Sequence, residues 1–293
     1  MGEEKEWIGT TYGNGWMHKW LIRILRHTDI RIWYVFAAAF VVPVCLLLRP
    51  SCGIIYRYFR NRFGYSKPRA LWKTYVNHCL FSQAVIDKFA MYAGKKFKVD
   101  IEGNELFLAL AAKEQAFVQL SSHIGNYEIA GYTLVAETKP FNALVFFGEK
   151  ESVMRNRTKM FGHTNIRMIP VKQDMSHLFE IDSVLQNGET LSIPADRIWG
   201  SEKKLELDFL GEKAKFPLGP FCVATMRGLD VLSVSVMKTS WNCYKIYVKS
   251  LGYDKNAPRK LQICELAEGY VADLERMLRL YPTQWYNYFE FWT

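Results

Sequence analysis

Residues 116–128, AFVQLSSHIGNYE, decide how this chain is read. Ala116 to Ser122 is apolar, with charge before it and His123 after it, the pattern of a short buried strand. From Ile124 to Ala136 apolar residues return at helical spacing, Ile129, Leu134 and Val135 among them. Ser121, Ser122 and Asn126 stand nearby as capping candidates. His123 therefore falls at a strand-to-helix junction, with Glu128 five residues on. Along one continuous helix, five positions turn two side chains about 140° apart. Direct pairing thus needs His123 in the entering loop and Glu128 in the first turns. A carboxylate on one imidazole nitrogen fixes the tautomer and raises the basicity of the other, which can then take a proton from a hydroxyl or an amine. By spacing alone, the same two residues also read as a His capping a helix and a Glu on its solvated face.

Outward from this junction, strand-like and helix-like segments alternate. Phe97–Ile101, Ala143–Phe147, Arg167–Pro170, Thr190–Pro194, Leu205–Leu210, Val231–Met237 and Tyr244–Lys249 read as strands. Helical patterns cover Asn104–Lys113, Glu151–Phe161, Met175–Gln186, Pro220–Arg227 and Leu261–Leu280. The alternation predicts an α/β fold with a mixed central sheet flanked by helices.

Residues 1–69 read differently, as a membrane-attachment region ahead of a catalytic domain at 70–293. Trp16 to Arg26, WMHKWLIRILR, mixes aromatic and aliphatic residues with bases at helical spacing, as interfacial helices do. Ile30 to Leu48 is nearly continuous apolar sequence, broken by Arg31 and Pro43. A span needs roughly 20 such residues, so this run either crosses or lies in the interface, or forms a buried helix kinked at Pro43. The bases that follow (Arg49, Arg57, Arg60, Arg62, Lys67, Arg69, Lys73) place the bulk of the protein on the cytoplasmic side and offer charge to anionic headgroups.

The 293 residues carry a formal charge of +9, which favours an anionic partner. No zinc-finger spacing, RNP-like segment or basic recognition helix is present, so a membrane fits better than nucleic acid. The six cysteines are scattered without CxxC pairs, and neither HExxH nor a Cys/His cluster suggests a metal. GxSxG, Walker A and GxGxxG motifs are absent as well, against serine hydrolases and nucleotide enzymes.

His-x4-Glu after a buried strand, the later run Pro194-Ala195-Asp196, and an aromatic C-terminus with Pro282, Gln284 and Trp285 together resemble the bacterial lipid A biosynthesis acyltransferases, the late acyltransferases of the lysophospholipid-acyltransferase-like group. The resemblance runs from about Lys95 to the end. It implies transfer of a fatty acyl chain from acyl carrier protein to a hydroxyl of a membrane glycolipid, at the cytoplasmic face of the bacterial inner membrane, with no cofactor beyond the thioester donor. It makes His123 the base, Glu128 its orienting carboxylate, Asp196 a second acidic site, and Arg157 the oxyanion or phosphate ligand, with Arg155 as the competing choice. Gly125 would admit the substrate close to the backbone, and Asn126, Arg155 and Arg197 would line its site. The terminal run Tyr286 to Trp292 carries Glu290 and aromatics where the family usually has a basic cluster, so a less phosphorylated acceptor is also implied. An aminolipid or lysophospholipid acceptor, or a non-catalytic lipid-binding protein of the same fold, are the alternatives.

Overall fold

The computed structural model describes residues 15–134, 139–146, 165–172, 174–198 and 203–292. Nine strands are described: β1 (Lys98–Glu102), β2 (Phe117–Ser121), β3 (Phe141–Phe146), β4 (Ile166–Val171), β5 (Thr190–Pro194), β6 (Lys204–Phe209), β7 (Glu212–Pro217), β8 (Asp230–Ser240) and β9 (Cys243–Leu251). Seven form one sheet in the order β1-β9-β8-β2-β5-β3-β4. All neighbours in it are parallel except β8 and β9. The sheet is therefore mixed, as the alternation predicts.

Strand β2 shows why the sheet is covered on both faces. All five of its residues are buried, as expected when helices lie on each side of parallel strands. Val118 and Leu120 enter the main core with Phe221, Tyr270 and Trp285, while Phe117 enters a second core with Phe107, Ile129 and Val234. That division follows the two-residue period of a strand. Hairpin β6/β7 stands outside the sheet and turns through Leu210 and Gly211, both at positive φ (50° and 84°), the geometry that keeps a two-residue turn in step with strand twist. The strand read at 205–210 is thus present as β6, in this separate hairpin.

On the N-terminal side are α1 (Gly15–His27), α2 (Ile30–Leu48), α3 (Ser51–Phe63) and α4 (Lys67–Tyr92). The boundary at 69/70 lies inside α4, so the attachment region passes into the rest of the chain without a break. Asp29 caps α2 by accepting from the Arg31 main-chain N–H at 2.9 Å. Its middle turn, Ala37–Val41, widens to a π-helix just ahead of Pro43, which lacks the N–H that a regular turn needs. Ile30, Tyr34, Ala37 and Val42 pack inward, and Tyr75 of α4 donates to the Ala38 carbonyl at 3.1 Å. The opposite side is bare: Phe40 is 64 % exposed, Leu47 85 % and Leu48 75 %. A buried core helix is thereby excluded. The other N-terminal helices also expose apolar residues, Trp16 and Trp20 on α1 and Leu71 and Trp72 on α4.

The basic run after α2 is less available than its sequence suggests. Arg57 pairs with Glu290 and Arg62 with Glu212, Arg60 donates to the Tyr65 carbonyl, and Arg69 lies over the Tyr65 ring at 4.0 Å. Most of these guanidiniums hold the protein together internally.

Candidate active site

Strands β2 and β5 run side by side and parallel, with Ser121 opposite Pro194. The pairing continues one step further, as Ala195 N–H donates to the Ser121 carbonyl at 2.9 Å. Two residues beyond each strand end, His123 and Asp196 meet. This is the carboxyl edge of the parallel strands, where open α/β sheets place their ligands.

Asp196 grips His123 twice. One carboxylate oxygen accepts from the His123 main-chain N–H at 2.8 Å, and the other lies 2.8 Å from imidazole Nδ1. The Asp196 side chain is fully buried, while that of His123 keeps 21 % of its surface. Tyr270 anchors the end of β2 from the helix Arg259–Leu280 by donating to the Ser121 carbonyl at 3.0 Å.

Burial lowers the pKa of His123, and the cation of Arg197 lowers it further, against the opposite pull of Asp196. Burial works to raise the Asp196 carboxyl, but the charge and hydrogen bonds of His123, with Arg197, outweigh it and hold it below the usual value. The arrangement is an ionised carboxylate on a neutral imidazole, the state a general base requires.

The loop after His123 is not the first turn of a helix. Ile124 and Gly125 make bridges to Trp285 and Val236 instead, and helical structure begins at Tyr127 with a 3-10 turn followed by Ala130–Thr133. Gly125 explains the shift. It sits at φ 58°, and a Cβ there would overlap the Val236 carbonyl oxygen. This close packing on β8 is what requires a glycine here. Asn126 likewise points inward: its N–H donates to the Val236 carbonyl at 2.9 Å, and its amide group to the Tyr244 hydroxyl at 3.3 Å.

Glu128 is where sequence reasoning departs most. Its carboxylate lies 2.7 Å from Lys88 Nζ and accepts from the Tyr92 hydroxyl at 3.2 Å, both on α4. The carboxylate that orients His123 through Nδ1 is Asp196, from a separate strand. Glu128 is buried and ties the turn after the His123 loop to α4. Arg197 also binds protein, donating to the Asn287 side-chain oxygen and the Tyr286 carbonyl, each at 2.9 Å. Arg155 and Arg157 lie outside the described residues.

The C-terminal motif with Gln284 and Trp285 was legible as a motif, but its place against the His123 loop was not. The segment 284–286 runs beside 123–125: Gly125 N–H donates to the Gln284 carbonyl at 2.8 Å, and Tyr286 N–H to the His123 carbonyl at 3.3 Å. Asn77 of α4 holds this strap by donating to the Thr283 and Trp285 carbonyls at 3.0 and 2.8 Å. Lys88 and Tyr92 went unnoticed as well. Asn77 and Lys88 stand eleven residues apart on α4, about three turns, and this shared face was the available signal. Among the described residues, no group of three or more His, Cys, Asp or Glu side chains is placed to hold a metal ion.

No curated protein matches the chain. Among solved structures it is similar to the 1-acyl-sn-glycerophosphate (LPA) acyltransferase PlsC from Thermotoga maritima, at 16 % identity over 92 % of this chain and 100 % of that one, with a TM-score of 0.40. The sequence pattern of the bacterial lipid A biosynthesis acyltransferases matches residues 82–286, a stretch that holds His123, Asp196 and the strap alike. With well over half of its length inside that match, the protein belongs to this family and is a lipid acyltransferase.

Proposed function

We propose that the enzyme transfers a fatty acyl chain from the thioester of acyl carrier protein to a hydroxyl of a glycolipid like a lipid A precursor, with His123 as general base. The observation that carries this reading is the two-point grip of Asp196 on His123. With Nδ1–H donated to the carboxylate, imidazole Nε2 is the acceptor. It takes the proton of the acceptor hydroxyl as that oxygen bonds to the thioester carbonyl carbon, whose π electrons move onto its oxygen. Collapse of the tetrahedral intermediate re-forms the carbonyl, breaks the C–S bond, and returns the proton from the imidazolium to the departing thiolate. The step needs no acyl-enzyme and no cofactor. Arg157 keeps the oxyanion role that the family resemblance gives it, with Arg155 as the competing choice.

The site works, on this reading, at the cytoplasmic face of the bacterial inner membrane, with α2 lying in the interface. The inner side of α2 packs along α4 through Tyr34 on Asp87 and Tyr75 on Ala38. Carrying α2 across a hydrocarbon layer of about 30 Å would drag the polar residues of α4 in with it. Exposed Trp16, Trp20, Phe36 and Trp72 suit the boundary between headgroups and acyl chains. Near the terminus, Glu290 is paired with Arg57 and Arg62 lies 4.2 Å over the Trp292 ring, which favours an acceptor presenting fewer phosphates there.

The test is mass spectrometry of lipids after wild type and His123→Ala each receive acyl carrier protein thioesters and a bacterial total lipid extract. A new mass of one added acyl group, formed by wild type alone, is expected. Equal product from His123→Ala would remove the base, and no product with any thioester would remove the donor and acceptor together.

A further inference from the structure

The strap and the catalytic loop meet at Gln284, a buried, uncharged side chain that the chemistry above does not use. Its main chain and side chain reach in different directions. The carbonyl accepts from Gly125 N–H at 2.8 Å, two residues after His123. The carboxamide grips the main chain of Lys238 on β8 from both sides: Oε1 accepts from Lys238 N–H at 2.9 Å, and Nε2 donates to the Lys238 carbonyl at 2.8 Å. One donor and one acceptor held in a plane are what a carboxamide offers, and Asn is a methylene too short to replace it.

The point being gripped is itself fixed. Lys238 Nζ is buried against Asp87 and donates to the Tyr34 hydroxyl at 2.9 Å. Asp87, also fully buried, accepts from Tyr34 and Tyr244 as well. Gln284 therefore fastens the strap to a rigid knot of α2, α4, β8 and β9. Directly after it, Trp285 bridges Ile124, Tyr286 N–H reaches the His123 carbonyl, and Tyr286 and Asn287 hold Arg197. One short segment thus fixes both the loop that carries His123 and the cation beside it.

We propose that Gln284 is a positioning residue for the acyl transfer: its carboxamide sets where the strap crosses the catalytic loop, and so how His123 sits against Asp196. The inference rests on the reading of His123 as base. Glutamate at this position would face the Lys238 carbonyl with an acceptor instead of a donor, and methionine would offer neither group at similar length.

The experiment compares Gln284→Glu and Gln284→Met in the full chain with wild type, with His123→Ala, and with Leu266→Ala as a core variant on the helix Arg259–Leu280. Rates are taken per folded enzyme across a pH series. Both Gln284 variants are expected to lose kcat by about 10- to 100-fold with KM for donor and acceptor within about twofold. The acid limb of kcat/KM should move upward, because a loosened strap lets water reach His123 and releases Arg197. Leu266→Ala should lose stability and keep both kcat per folded enzyme and the pH profile. Should the Gln284 variants match wild type in kcat per folded enzyme, or keep its pH profile, Gln284 has only a structural role and the inference falls. Activity persisting in His123→Ala would instead overturn the underlying reading of the base.

Discussion

Two buried carboxylates, Asp196 and Asp87, each hold a nitrogen base, and their pKa values are pushed in opposite directions. Asp196 has the main-chain N–H and imidazole of His123, and its carboxyl sits below the usual range. Asp87 has Lys238 and two tyrosine hydroxyls, yet burial raises its carboxyl, while burial lowers the Lys238 amine. The difference lies in the partner and its access to solvent. Imidazole can shed its charge, so the Asp196 pair buries one negative charge with strong donors around it, and His123 still reaches the surface. The ammonium of Lys238 is sealed in with Asp87, and both must be desolvated together. On the reading proposed above, the first pair exchanges a proton with a substrate, while the second joins α2, α4 and the sheet.

The sharpest way to break this contrast is to remove the working pair. His123→Ala is expected to lower turnover by about 10²–10⁴, and Asp196→Asn by a similar factor, with melting temperatures that still report a folded protein. A turnover near wild type in either would place both pairs in the structural class. The sealed pair should behave in reverse. Asp87→Asn and Lys238→Met each leave one buried charge without its partner and should destabilise by about 3–5 kcal/mol in urea unfolding, whereas the double variant should cost much less than the sum. Additive losses would mean that the two charges do not depend on each other.

The pH dependence separates them further. His123 has its pKa lowered by folding, so between its folded value and the ordinary imidazole value the unfolded chain binds the proton that the native state refuses. Stability from this group is therefore present above the ordinary value and lost as pH falls through that window. The acid limb of kcat/KM should likewise lie below the ordinary imidazole value, and an acid limb above it would contradict the neutral imidazole. The smallest effect belongs to the surface: Glu290→Gln, which breaks the exposed pair with Arg57, should change stability by less than about 1 kcal/mol.

The sheet was legible because its strands are short apolar runs between polar breaks, and β2 and β5 were read nearly to their ends. His123 and Asp196 were each legible too, but not as partners. Two strands, β3 and β4, intervene in sequence between β2 and β5, yet lie on the far side of β5 in the sheet. Glu128 is near His123 along the chain and therefore looked like its carboxylate, although the loop turns it toward Lys88. Strand β7 was hidden because Glu212-Lys213-Ala214-Lys215 carries few apolar residues, since one side of the hairpin faces solvent. The helix expected from Ile124 began late because Gly125 gives its backbone to β8, a tertiary contact that periodicity does not encode.

The strap bears on how the chain folds. His123 and Asp196 are separated by 73 positions, Lys238 and Tyr34 by 204, and Asn77 and the Thr283 carbonyl by 206. Contacts between such remote positions close large loops and form slowly relative to helices and local turns. The helices can be complete while the site is still open, so on dilution from denaturant the far-ultraviolet signal should return before acyl transfer does. Catalytic competence then becomes a marker for the last step of folding, set by the arrival of a few residues after the long C-terminal helix.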